Sequence, residues 1–424
     1  MKKSALAFAV LTAFSANAYI DFDAGANLRI REEMMNNVVG CPNGSFVRRA
    51  AGHFTNHIRF RPRVWGELRF GNDEIGKWRL YTRLADEIRW NIEPKKSDYS
   101  WPDEVVLDNL FLEGKELFDG FLDVGIGRRD LYGYGDGLTR LFVDGTPGDG
   151  SRSLYADMAT VTMHVSETDK LDLFFMHNSD DNENLRWGDY NSKHRSLTMR
   201  NIGDEDRDEW AGGAIWGGRW NALAYQFFVM EKAVEHEDHL ELAGVNLKHP
   251  ITDEVSAELE LMNQFDKDCS VFAAINWKSK EEGVRPFAGI SFWYLGPEWD
   301  PMWARAPIDS EMFLYGTHNG LGWWSNQYLV KFSAGLEFSR QHSFTAYTEP
   351  IFAAENDGVG GGNGQFKGLN TCFLYKFPII LADKTKGERF EIVGHILAEF
   401  FNPGDYYESD RPAYFLRWQV EFKF

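Results

Sequence analysis

The sequence predicts an all-β chain that closes into a single transmembrane antiparallel β-barrel of about eighteen strands, with short periplasmic turns at one end and long extracellular loops at the other. Three observations carry this reading. Strand-like segments of alternating polarity run from residue 22 to the end of the 424-residue chain, with 15% aromatic residues, 40 glycines and few amphipathic helical periods. Short and long connections alternate between those segments. The last segment, "AYFLRWQVEFKF", puts Tyr414, Leu416, Trp418, Val420, Phe422 and Phe424 on one face, and Arg417, Gln419, Glu421 and Lys423 on the other.

The chain opens on "MKKSALAFAVLTAFSANA": two lysines, an apolar stretch, then Ala16-Asn17-Ala18. Residues 1–18 read as a secretory signal peptide with an A-x-A cleavage site, which leaves 19–424 as the barrel. The apolar stretch is too short to span a bilayer, and no cysteine follows the cleavage site to take a lipid anchor. No Pro- or Ser-rich linker or composition break divides the remainder.

The predicted strands are 22–33, 55–70, 76–90, 105–117, 121–130, 154–165, 170–179, 209–217, 220–231, 239–248, 254–265, 270–278, 284–294, 327–339, 342–354, 367–378, 388–401 and 412–424. Short connections such as "FDG", "SETD", "GR", "PITDE" and "RQ" alternate with longer ones at 34–54, 91–104, 131–153, 180–208, 295–326 and 355–366. Only 232–238 and 266–269 are short for the long set. Strands can cross lipid only as a closed barrel, because every backbone N–H and C=O needs a partner there. The apolar faces then meet lipid and the polar faces line the lumen, which suits a mean hydropathy of −0.41. Trp78, Trp90, Trp216, Trp220, Tyr294, Trp277 and Trp324 fall near strand ends, where an aromatic girdle belongs.

The segment "HIRFRPRVWGELRFG" puts Arg59, Arg61 and Arg63 on one face, opposite Phe60, Val64 and Leu68. An arginine facing the bilayer midplane costs roughly 2–4 kcal/mol, so this face is assigned to the lumen. The following segment adds Arg79, Arg83 and Arg89 on one face, with Leu80, Leu84 and Ile88 opposite; the first adds Arg29 and Arg31 beside Asn27 and Glu33. This basic wall stands in a chain of net charge −19, whose acid gathers in stretches such as "SDDNEN", "GDEDRDE" and "EHED". Two explanations compete for the wall. Arginines spaced along a strand can pass an anion between weak sites. Alternatively they form a structural ladder with Glu258, Glu260, Glu391 or Glu399.

The stretch "FLDVGIGRRDLYGYGDG" (121–137) resembles the Gly-Arg-Gln and Tyr/Leu-Gly-Asp elements of the alginate-export family of outer-membrane barrels. Gly127 and Arg128 match, Arg129 replaces the usual glutamine, and Tyr134, Gly135 and Asp136 complete it after an insertion. The "LRIREE" start (28–33) and the basic strands are similar as well, so the resemblance is clearest over 25–165. It implies a porin-like barrel in the bacterial outer membrane, with a basic pore for an anionic sugar polymer. Arg129 is assigned to the lumen; Arg128 follows Ile126 outward unless a glycine makes a bulge.

The expected function is a passive channel for anionic solutes, foremost anionic saccharides of the alginate type. The alternative is a porin for small anions or general solutes, and a structural barrel or an outer-membrane enzyme ranks lower. The path would be lined by Arg29, Arg31, Arg59, Arg61, Arg63, Arg79, Arg83, Arg89 and Arg129. Expected partners are outer-membrane lipid, the solute, and the barrel-assembly machinery through the Phe424 strand, with no nucleic acid, cofactor or metal. No G-x-S-x-G accompanies Ser333 and His395, "GVGGGNGQ" lacks the Lys-Ser/Thr of a P-loop and reads as a flexible loop, and "HEDH" (236–239) reads as a solvated loop. Cys41 and Cys269 fall in presumed loops and could pair.

Overall fold

The computed structural model describes residues 19–36, 54–72, 76–86, 88–93, 96–100, 105–130, 155–178, 186–187, 209–234, 239–299, 325–339, 341–358, 361–383, 385, 387–408 and 410–424. Residues 1–18, read as a signal peptide, together with Cys41, Tyr134-Gly135-Asp136, the "EHED" stretch and Trp324 lie outside them. Cys269 carries a free thiol.

Among the described residues, twenty-one strand segments form one sheet. The first half comprises β1 (Tyr19–Asn36), β2 (Phe54–Asn72), β3 (Gly76–Ala85), β4 (Ile88–Glu93), β5 (Lys96–Ser100), β6 (Val105–Glu116), β7 (Leu122–Asp130), β8 (Tyr155–His164), β9 (Lys170–Asn178) and β10 (Arg186–Trp187). The second comprises β11 (Glu209–Trp220), β12 (Leu223–Val234), β13 (Leu240–Pro250), β14 (Val255–Gln264), β15 (Cys269–Lys278), β16 (Arg285–Leu295), β17 (Gln327–Ser339), β18 (His342–Phe352), β19 (Phe366–Ile380), β20 (Glu391–Pro403) and β21 (Ala413–Lys423). Eighteen of them pair antiparallel in an unbroken ring, an all-β transmembrane barrel. β1 closes it against β21 from Asn27↔Lys423 to Asn36↔Tyr414. Closure leaves no sheet edge, so the backbone groups of the wall are satisfied without water. Among the described residues no helix is long and apolar enough to cross a membrane.

The three remaining segments correct two loop boundaries. β4 continues β3 in one register against β2, from Arg63↔Ala85 to Phe60↔Ile88. β5 then pairs back on β4 as far as Glu93↔Lys96. The expected loop 91–104 is therefore largely a hairpin that lengthens two strands, a result of alternation persisting through "RWNIE". β10, inside the expected loop 180–208, adds two residues to β6. The turn expected at Gly218-Arg219 falls at Asn221-Ala222, where Asn221 takes φ 52. Asparagine tolerates that left-handed geometry, so alternation alone misplaced the turn by three residues.

Outward faces carry Phe22, Val64, Ile126, Phe175, Val229, Ile275, Phe332 and Ile396, all exposed. A soluble sheet would bury this band; around a closed barrel it is the lipid-facing surface. Trp220 and Trp277 stand exposed near the turn end, and Trp90 and Trp210 near the loop end.

At β7 the register runs unbroken through Gly127, so there is no bulge and Arg128 follows Ile126 outward. It is neutralised at the loop end of the strand, where its Nε and Nη2 donate to the two carboxylate oxygens of Asp157 at 2.8 and 2.9 Å. Arg129 takes the opposite face, its guanidinium 5.1 Å from the Phe111 ring centre. Gly127 has φ 126, and a Cβ there would stand 2.2 Å from the Leu110 carbonyl oxygen. Gly127→Ala is expected to lower the temperature at which the folded band survives in a gel-shift assay. Gly125→Ala should do so less, because its Cβ would meet the movable Thr160 hydroxyl at 2.6 Å instead of backbone.

Candidate functional site: the basic wall of the lumen

Antiparallel pairing places the arginines of adjacent strands side by side. Arg29 stands opposite Arg61, Arg31 opposite Arg59, and Asn27 opposite Arg63. Lower on the wall Arg69 pairs with Arg79, and Trp65 with Arg83. Arg29, Arg31, Arg59 and Arg61 are buried, whereas Arg63, Arg79, Arg83 and Arg129 are partly exposed. Arg89 sits on β4 opposite Arg59 in the backbone register, and its side chain lies outside the described residues. Along β2 the outward positions are Phe60 and Val64, and along β3 they are Leu80 and Leu84.

Closure of the barrel adds members that strand-by-strand reading passes over. β21 places Arg417 opposite Glu33, Gln419 opposite Arg31 and Glu421 opposite Arg29. Around the buried Glu33, Arg417 donates from Nε and Nη2 to Oε1 at 2.9 and 2.6 Å. Arg31 Nη1 reaches the same oxygen at 3.3 Å. His57 Nε2 and Arg59 Nε lie 2.7 and 3.1 Å from Oε2. Arg31 Nε also donates to Gln419 Oε1 at 2.9 Å. On the lumenal faces of β1, β2 and β21, Arg29, Arg31, Arg59, Arg61, Arg63, Arg69, Arg417 and Lys423 outnumber Asp21, Asp23, Glu33, Glu67 and Glu421.

The wall supplies salt-bridge partners of its own. Arg79 Nε donates to Glu67 at 2.7 Å, and its Nη1 is 3.6 Å from Glu113. Its guanidinium also stacks 5.1 Å from the Tyr81 ring centre. Glu391 accepts from Lys423 at 3.0 Å, and Glu260 from Asn246 at 3.0 Å. Glu399 accepts from Tyr347 at 3.0 Å and shares Asn370 with Glu349. Ser333 donates to the Gly289 carbonyl at 3.4 Å, three strands away from His395.

The lumen is less polar than alternation implies. Phe272, Trp293, Leu329, Tyr347, Ile351, Phe401 and Phe415 face inward yet are buried in one cluster with Tyr406 and Tyr407 of the segment after β20. A second cluster joins Phe174, Met176, Ile215, Phe228, Met230 and Leu242 to Trp299, just beyond β16. Both connecting segments therefore fold inward and exclude water from the faces they cover, which is why apolar residues are tolerated there. Of the 295–326 connection, 296–299 turns into the lumen, and 300–324 lie outside the described residues.

The inward segment after β20 is fastened by polar contacts. Tyr406 donates to Asp357 Oδ1 at 2.7 Å, and Asn326 donates to Asp357 Oδ2 at 2.9 Å. Lys367 Nζ donates to the Asn326 carbonyl at 2.7 Å. Residues 361–365 of the glycine-rich stretch expected to be a flexible loop lie against this segment. Gly362 N donates to the Tyr406 carbonyl at 3.0 Å, and a Cβ at Gly362 would meet the Asp405 carbonyl oxygen at 2.1 Å. Glycine is what permits that approach. Replacing Tyr406 and Tyr407 together by alanine is expected to raise single-channel conductance, since two rings leave the lumenal cluster.

Fold and wall together define an eighteen-stranded antiparallel transmembrane β-barrel with a basic strip along its lumen. No protein-family model matches the chain, and a search among curated proteins finds no match. Solved structures do resemble it. Pseudomonas aeruginosa OpdQ superposes with a TM-score of 0.55 at 9% identity, over 95% of this chain and 99% of that one. P. aeruginosa OccK5 (OpdH) gives 0.54 at 9% identity, over 95% and 98%. P. aeruginosa OccK2 (OpdF), solved in complex with glucuronate, gives 0.53 at 11% identity, over 95% and 98%. At such identities the likeness is one of fold. It extends over nearly the whole length of these chains, whereas the alginate-export resemblance is clearest over 25–165.

Proposed function

We propose that this chain is a passive outer-membrane channel for small solutes, with a preference for anions. The observation behind this reading is the arginine-rich lumenal strip of β1, β2, β3 and β21, in which cations outnumber the carboxylates woven between them. Guanidinium groups stay charged at any physiological pH and offer paired donors to carboxylates. Arg63, Arg79, Arg83 and Arg129, being partly exposed, are the members that meet solute. A series of partial sites passes an ion along when each holds it weakly. The structurally similar OccK2 was solved with glucuronate, a sugar bearing a single carboxylate, which favours solutes of that size and charge.

A polymer of the alginate type is the second reading, and it rests on the resemblance around Gly127–Asp136. Trp299, Tyr406 and Tyr407 folded into the lumen weigh against it, because a polymer needs a continuous wide passage. Lipid and, through the Phe424 strand, the barrel-assembly machinery complete the expected partners.

The refolded protein should show stepwise conductance in a planar bilayer, with a reversal potential favouring anions in a salt gradient, and should admit glucuronate in a liposome-swelling assay. A silent or cation-preferring barrel would overturn the proposal.

A further inference from the structure

Glu33 occupies the point at which the wall's cations converge. Both its oxygens are engaged: Oε1 by Arg417 and Arg31, Oε2 by His57 and Arg59. Glu33, Arg31 and His57 are fully buried and Arg417 is 1% exposed. Three guanidinium groups and an imidazole from three strands around one carboxylate form a receptor for a carboxylate, and the chain supplies its own. Burying so many cations together without an anion would be strongly unfavourable.

We propose that Glu33 is a tethered carboxylate that fills a carboxylate-binding cage in the arginine wall, and so keeps solute anions from being trapped there. A passive channel needs sites weak enough to release what they bind. An empty cage of this kind would bind a carboxylate with several charge-assisted hydrogen bonds and hold it. With Glu33 in place the carboxylate position of the cage is filled and its donors are engaged, and passing anions are left to the more exposed Arg63, Arg79 and Arg83. The role assigned to Glu33 in transport rests on the anion-path reading; the existence of the cage does not.

The test is chemical rescue of Glu33→Ala, refolded in detergent and followed by heat-dependent gel shift in matched sodium chloride and sodium acetate. The variant should lose heat resistance in chloride and regain it in millimolar acetate, while the wild type is indifferent to the anion. In bilayers, acetate should slow chloride conduction through the variant only. Glu33→Gln, which keeps the shape without the charge, should refold with lowered heat resistance in both salts and raise anion-over-cation permeability about two-fold, the effect of one unit charge across ~8 Å of water. Equal heat resistance of Glu33→Ala in acetate and chloride would defeat the proposal. So would a Glu33→Ala chain that refolds in neither salt while Glu33→Gln refolds in both, because the tether and not the carboxylate would then be what the pocket requires. If acetate rescues Glu33→Ala but wild-type reversal potentials show no anion preference, the cage stands and the anion path fails.

Discussion

Replacing Arg61 and Arg79 together by alanine is expected to lower the anion-over-cation permeability ratio about four-fold in ~0.1 M salt, taking about two-fold for each unit charge acting across ~8 Å of water. Arg79 is the cation beside Glu67 and Glu113, so its loss leaves those carboxylates less compensated. Arg61 stands opposite Arg29, so its removal relieves like-charge repulsion and should not cost the fold. The effect should shrink at 1 M salt, where the screening length falls to about 3 Å. A ladder that serves only the fold predicts the reverse pattern: reduced heat resistance on gels with selectivity intact. Reversal potentials and gel shifts on one preparation separate the two, and unchanged selectivity in a well-folded double variant would refute the anion path.

Ala346→Arg should destabilise the barrel by roughly 2–4 kcal/mol, the range for an arginine near the bilayer midplane. Its neighbour Thr345→Arg should be tolerated. Ala346 lies mid-strand on the lipid-facing row of β18 with Phe344, while Thr345 shares the lumenal row with Tyr347 and Glu349. The two substitutions are chemically the same and one residue apart, so the difference isolates the facing of the strand. Urea titration of refolded protein in lipid vesicles would measure it. Equal losses at both positions would mean that β18 is not seated as the register requires.

How much of this was legible beforehand follows from the range of each interaction. The facing of Arg59, Arg61 and Arg63 against Phe60 and Val64 depends only on the pleat, which repeats every two residues and can be read from a dozen letters. The barrel as a class was legible for the same reason: one apolar face per strand, repeated to the last residue, has no place to be buried except in lipid. The limits of single elements were less so. Alternation persists through "RWNIE" and "GGRW", and nothing in it says where a hairpin turns back.

The lumenal site divides along the same line. The sequence by itself determined that a basic strip exists on the first strands and which side chains share its face. Only the tertiary structure decided what that strip contacts. Arg417 meets Glu33 across 384 residues of chain because the last strand closes on the first, a register that no local pattern encodes. Nor does periodicity tell which connections fold inward. Trp299, Tyr406 and Tyr407 enter the lumen because inward-facing apolar residues from strands far apart in sequence offer them a dry surface, and water is excluded only once the ring is closed.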